Sequence, residues 1–265
     1  MKKGLKNIIN LFLQPFRLKL VKENVLIEHI GNKDYAKEYK FILNYPSKNA
    51  SDYLFYKKLS RSQIKQDLFV LMELDFKRNG YFVEFGATDG LSFSNSFILE
   101  NEFGWNGILA EPAKCWHSEL LKNRGCFIEK DCIWSESGKE FSFNETEKAE
   151  LSTISGIEIE DNHGPLRNKG KKYNITTISL IDLLDKYNAP PIIDYISIDT
   201  EGSEYQILQS FNFKKYKFRV ISVEHNYSPV REKIYNLLIE NGYCRVHTEF
   251  SLFHDWYRLK EEMRV

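Results

Sequence analysis

From residue 81 onward, short apolar runs alternate with segments of helical periodicity, and that alternation restricts the chain to few folds. The runs at 81–85, 107–110, 126–134, 194–198 and 219–223 are too short for helices and rich in Ile, Val and Phe, which predicts buried strands. Helical spacing fills the gaps at 95–103, 114–123, 180–187, 203–211 and 230–241. Strands joined through crossover helices run parallel and need helices over both faces. Two last runs, 243–248 and 251–257, follow each other closely and predict a strand pair, with one antiparallel strand at the end of a sheet of about seven.

The first 80 residues have a different texture. Residues 1–59 read as a helical extension, and 60–78 carry Ile64, Leu68, Leu71 and Met72 at helical spacing before Asn79-Gly80 ends the pattern. Residues 1–22 hold Lys2, Lys3, Lys6, Arg17, Lys19 and Lys22 and no acid. The uncharged stretch 7–16 is too short to span a bilayer, and no small-residue cleavage site follows it. The segment is expected either to pack as a terminal helix or to make peripheral contact with an anionic inner membrane face. A second departure is 136–174, polar and containing Gly156, Gly164, Pro165 and Gly170, read as a long excursion over the functional end of the sheet.

Composition narrows the partners. The 37 basic and 37 acidic side chains cancel, which argues against nucleic acid as the main ligand. The four cysteines form no C-x-x-C pair, so neither a zinc knuckle nor a disulfide framework is expected, and a reducing cytoplasm is the default.

The chemistry gathers at strand ends. The run from Tyr81 ends Glu84-Phe85-Gly86-Ala87-Thr88-Asp89-Gly90: an acid followed by two glycines four apart, without the G-x-G-x-x-G of a pyrophosphate cradle. A carboxylate there suits a cationic or hydroxyl-bearing ligand. The second run ends Glu111-Pro112, placing an acid where it can accept both hydroxyls of a ribose. The third ends Asp131-Cys132-Ile133, where the Asp can accept from an adenine amino group and Ile133 can pack on the ring. Three acids without a phosphate cradle describe a site for S-adenosylmethionine, whose sulfonium and ammonium are positive.

These motifs resemble the FkbM-type methyltransferases of the class I adenosylmethionine-dependent superfamily. The resemblance runs from about Ser62 to the C-terminus. It is carried by Ser62-Gln63 with Gln66-Asp67, the block Phe82 to Ala87, Ser94-Asn95, Gly104-Trp105-Asn106-Gly107, Glu111-Pro112, and Ile178-Ser179-Leu180 with Asp182-Leu183-Leu184. Its most specific element is Ile198-Asp199-Thr200-Glu201-Gly202. The resemblance implies a Rossmann-like fold over 60–265 and methyl transfer to a hydroxyl of a sugar or sugar-decorated metabolite. It also implies that Glu84, Gly86, Ala87 and Gly90 wrap the methionine half, Glu111 holds the ribose and Asp131 the adenine. Gln66 and Asn95 are further contacts to the amino-acid end. Pro112, Cys132 and Asp199 complete the expected cofactor set.

The remaining strand ends, Asp199-Thr200-Glu201 and Glu224-His225-Asn226, are candidates for the reaction itself. An alcohol is too weak an acid to lose its proton unaided at neutral pH. In one scheme His225 is the base, oriented by Asp199 or Glu224, with Glu201 nearby. In the other Asp199, Glu224 and Asn226 hold a divalent ion, with Mg2+ favoured by hard oxygen ligands. Substrate choice is assigned to the excursion, with Trp134, His163, Arg167 and Tyr173 nearby.

Three competitors remain. A nicotinamide-dependent oxidoreductase lacks its third glycine here. A nucleic-acid amino-methyltransferase would carry a [DNS]-P-P-[YF] loop where this chain reads Asp199-Thr200-Glu201-Gly202. A non-catalytic scaffold would have its pocket plugged by the excursion.

Overall fold

A computed structural model of the chain describes residues 33–156 and 170–260. The basic segment 1–22, and with it His163 and Arg167, lies outside the described residues. Two compact units divide at 44/45, so α2 (Ser47–Tyr56) belongs with the larger unit rather than with the extension expected to reach residue 59. The smaller unit contributes α1 (Lys33–Leu43).

The larger unit is built on a seven-stranded sheet of β1 (Tyr81–Phe85), β2 (Asn106–Ala110), β3 (Phe127–Glu129), β8 (Ile192–Ile198), β9 (Lys217–Glu224), β10 (Tyr243–Val246) and β11 (His254–Leu259). Their order is β10-β11-β9-β8-β1-β2-β3. β3, β2, β1, β8 and β9 are parallel, while β11 runs antiparallel to both β9 and β10. The antiparallel strand expected at the sheet's end therefore sits one place in, and β10 forms the edge.

Helices cover both faces. Val83 and Phe85 of β1 join one core with Leu183 and Leu184 of α6 (Leu180–Lys186), Ile207 and Leu208 of α7 (Glu204–Gln209), and Ile234 and Leu238 of α8 (Val230–Glu240). On the other face α3 (Gln66–Glu73) stacks Phe69 on Trp256 of β11, centroids 4.4 Å apart, while the next residue, Tyr257, enters the first core. Successive side chains of one strand thus seal opposite layers. α3 is shorter than the helix expected over 60–78, and left-handed Asp75, Phe76 and Asn79 carry the chain into β1. α4 (Phe97–Phe103) stops at Gly104, whose left-handed φ of 68° lets its N–H reach back to the carbonyls of Glu100 and Leu99. α5 (His117–Asn123) follows β2, and α6 starts from Ser179, whose hydroxyl accepts the Asp182 N–H at 3.1 Å.

The apolar run 126–134 and the excursion after it differ from expectation. The run breaks at 130–131 into β3 and β4 (Cys132–Trp134), which belong to different sheets. β4 pairs with β7 (Lys171–Ser179), and β5 (Glu140–Glu145) and β6 (Thr153–Ile154) complete a four-stranded sheet of order β4-β7-β5-β6. The described part of the excursion is therefore built mainly of sheet, with one 3-10 turn at Ala149–Leu151 and its own apolar cluster of Cys132, Phe143, Ile154 and Ile175.

Candidate functional site

In a parallel sheet the loops after the strands share one edge, and there the two central loops turn away from each other to leave a crevice. At that edge a cavity of about 310 Å³ lies between the tips of β1, β2, β8 and β9 and the second sheet. Leu151, Thr153 and Ile154 form part of its wall, and the Thr153 hydroxyl ties that wall to the main sheet by donating to the Glu201 carbonyl at 3.0 Å. Among the described residues, the excursion borders the cavity without filling it.

Glu111, one residue beyond β2, is 5 % exposed and lines the cavity. Its Oε2 accepts the Thr88 N–H at 2.9 Å and its Oε1 the Ala113 N–H at 2.8 Å. A carboxylate oxygen has two lone pairs, so each keeps one for a ligand. Burial pushes the Glu111 carboxyl up to about 7, the two amides pull it down, and Asp199 and Glu145 raise it further. Gly86 and Pro112 also line the cavity. Asn95 does so with a buried Oδ1 that has no partner among the described residues, while its Nδ2 donates to Ser197 at 2.9 Å. Gln66 reaches the wall as well, its Oε1 taking the Ile64 N–H at 3.1 Å.

Four residues expected at the cofactor are placed elsewhere. Glu84 is turned into the protein, where it accepts the Asn95 N–H at 2.7 Å and hydroxyls from Ser94 and Ser96. It shares a strand face with Phe82, and both lie against Arg124. Gly90 faces that same arginine: a Cβ there would stand 2.6 Å from Arg124 Cγ. Ala87 is buried and does not border the cavity. Asp131 falls at the break between β3 and β4, outside the cavity lining, with its N–H bonded to Glu129 at 3.1 Å. Cys132 and Ile133, just beyond, do line it.

On the opposite side lie Asp199, Glu201, Glu224 and Asn226. Glu201 and Asn226 are left-handed, with φ of 54° and 44°. Such backbone is uncommon outside glycine and clusters at functional sites. Asp199 and Glu224 are close enough to interact directly: burial raises both carboxyls, and each raises or hydrogen-bonds the other, so together they retain a proton near neutrality.

His225, the expected base, does not border the cavity. Its Nδ1 accepts the Tyr227 N–H at 2.9 Å, which leaves the proton on Nε2, 3.8 Å from Asp255. Burial lowers the ring's pKa to about 4, against the pull of Asp255, so it is neutral and enclosed. It braces the loop after β9.

No local motif points to His254. It is the first residue of β11 and stands opposite Glu224 in the β9–β11 register. Trp134 and Tyr173 lie off the cavity, Trp134 packed edge-on against Phe141 and Tyr173 bonded to Glu145 at 2.7 Å. His117 Nε2 is hydrogen-bonded to the Glu111 carbonyl at 2.8 Å.

Among the described residues, no helix is long and apolar enough to cross a membrane. Comparison with solved structures finds precorrin-6y C5,15-methyltransferase from Geobacter metallireducens, 13 % identical with a TM-score of 0.38, covering 68 % of this chain and 72 % of that one. A candidate RNA methyltransferase of Pyrococcus horikoshii is 12 % identical with a TM-score of 0.36, covering 75 % and 82 %. No curated protein matches. The sequence model of the methyltransferase FkbM domain matches residues 84–263, more than half of the chain, and so this chain belongs to the FkbM methyltransferase family.

Proposed function

We propose that this methyltransferase uses S-adenosylmethionine to methylate a hydroxyl of a sugar or glycan in the cytoplasm. The observation that carries the reading is Glu111, a buried carboxylate fixed by two amides with lone pairs left over at the cavity wall. A ribose diol supplies the two donors such a group lacks. The unpartnered Oδ1 of Asn95 suits an ammonium, and Cys132 and Ile133 give an apolar rest for a purine. When bound, the cofactor supplies an electrophilic methyl group; the chain's part is to bind it and to face the acceptor hydroxyl with Asp199, Glu224 and Asn226. Phe93, 52 % exposed, and Phe253 offer aromatic faces of the kind that pack on sugar rings.

Glu111→Ala is expected to weaken S-adenosylmethionine binding by about 1–3 kcal/mol, the cost of lost charge-assisted hydrogen bonds, by titration calorimetry. Since hydroxyls donate to the charged carboxylate, affinity should rise with pH through about 7 and level off above it. Below that point it should fall by up to about tenfold per pH unit. Glu111→Gln should flatten the profile. Unchanged affinity in the alanine variant, or tighter binding of a nicotinamide dinucleotide, defeats the assignment.

A further inference from the structure

Because β11 enters the sheet antiparallel, its first residue lies at the same edge as the last residues of the parallel strands. His254 is the register partner of Glu224, and Ile198, just before Asp199, is the partner of Val223. Three elements far apart in sequence thereby bring two carboxylates and an imidazole together. His254 Nε2 stands 3.9 Å from Asp199 Oδ2, and one donor atom from each of the three side chains lies within 4.8 Å of the other two. For metal–ligand bonds of about 2.0–2.2 Å, donor atoms sit roughly 3–4 Å apart, so a small contraction around a cation suffices.

His254 is the independent sign that something belongs there. It is 0 % exposed, and among the described residues neither ring nitrogen has a hydrogen-bond partner. Burying a polar group without a partner costs free energy that native proteins rarely leave uncompensated. Among the described residues, no Lys or Arg is paired with Asp199 or Glu224. The two acids face each other without a permanent positive charge between them.

We propose that Asp199, Glu224 and His254 bind one divalent transition-metal cation, of the manganese type rather than magnesium. The imidazole takes the place that oxygen-only expectation gave to Asn226, and it sets the selectivity. Magnesium is a hard cation that seeks oxygen and keeps its waters, whereas first-row transition ions accept an imidazole nitrogen, and manganese among them also suits carboxylate oxygens. Asp199 and Glu224 line the cavity, so the ion's remaining positions can accept an oxygen from a molecule bound there. The site's existence stands apart from the methyl-transfer reading; only its role in holding an acceptor oxygen rests on that reading.

The test uses full-length protein stripped with chelator and titrated calorimetrically with manganese chloride in the absence of any nucleoside. One ion is expected per chain, bound at least about tenfold more tightly than magnesium. Asp199→Asn should weaken manganese at least tenfold. His254→Gln, which offers oxygen in place of nitrogen, should erase the preference for manganese over magnesium. Should His254→Gln fail to fold, Glu224→Gln serves in its place, with at least a tenfold loss expected. Absence of binding up to about 1 mM manganese, or equal affinity in wild type and Asp199→Asn, overturns the proposal. Either failure leaves the cofactor reading at Glu111 untouched, since Glu111 is not among the three proposed ligands and its test titrates the nucleoside rather than the metal.

Discussion

Arg124→Met is expected to cost about 3–5 kcal/mol of folding stability, the range for removing one partner from a buried charge network, measured by urea denaturation at pH 7. The Arg124 side chain is fully enclosed. Its Nε meets Glu100 at 2.6 Å, its Nη1 donates to the Gly90 carbonyl and to Ser94, and its Nη2 donates to Ser96. Those serines pass their own protons to Glu84, so two hydroxyls relay one positive group to a buried carboxylate. Burial drives the Glu84 carboxyl up, while the guanidinium, the hydroxyls and the Asn95 amide pull it down. The guanidinium also lies over the rings of Phe82 and Phe97, 5.5 and 5.9 Å from their centroids, and methionine keeps a long apolar side chain while deleting the charge and every donor. Adding Glu84→Gln should restore at least about 1 kcal/mol beyond additivity, because the uncompensated charge is then gone. A loss below about 1 kcal/mol would mean that the network contributes little.

That network shows where sequence reading succeeds and where it stops. The alternation of strands and helices is a one-dimensional pattern, and every predicted crossover helix after β1 forms within a few residues of its expected place. An acid after β2 is visible as Glu111, and backbone amides hold it at the cavity. An acid ending β1 looks equivalent, yet period-2 geometry puts Glu84 on the face of Phe82 rather than at the crevice. The second sheet leaves a readable trace in the alternation of Phe141 and Phe143 with polar neighbours in β5, and of Tyr173 and Ile175 in β7. Gly156, Gly164 and Gly170 are turn signals in the same stretch and outweigh that pattern. His254 is illegible for a different reason. Its proximity to Asp199 and Glu224 comes from the order β9-β11-β10, and strand order is set by long-range pairing that no local spacing records.

Gly86→Ala is expected to destabilise the protein by about 2–5 kcal/mol, the sum of a left-handed alanine at about 1–2 and an overpacked contact at about 1–3. Gly86 has φ of +72°, and a Cβ built on it would stand 2.3 Å from the Asp199 carbonyl oxygen. That neighbour is backbone, held beside β1 by the β1–β8 pairing, so it cannot swing aside as a side chain could. Gly138 isolates the two contributions: its φ is +75°, yet a Cβ there meets nothing within 4 Å. Gly138→Ala should therefore lose only about 1–2 kcal/mol, the conformational share. The difference between the variants measures how tightly the tip of β1 is pressed against the loop that carries Asp199. For a domain of this size each kcal/mol lowers the melting temperature by roughly 2–4 °C, so thermal denaturation separates them by about 2–12 °C. Equal melting temperatures would assign the whole cost to backbone conformation. A larger drop for Gly86→Ala, accompanied by weaker manganese binding, would tie this close approach to the placement of the Asp199 carboxylate.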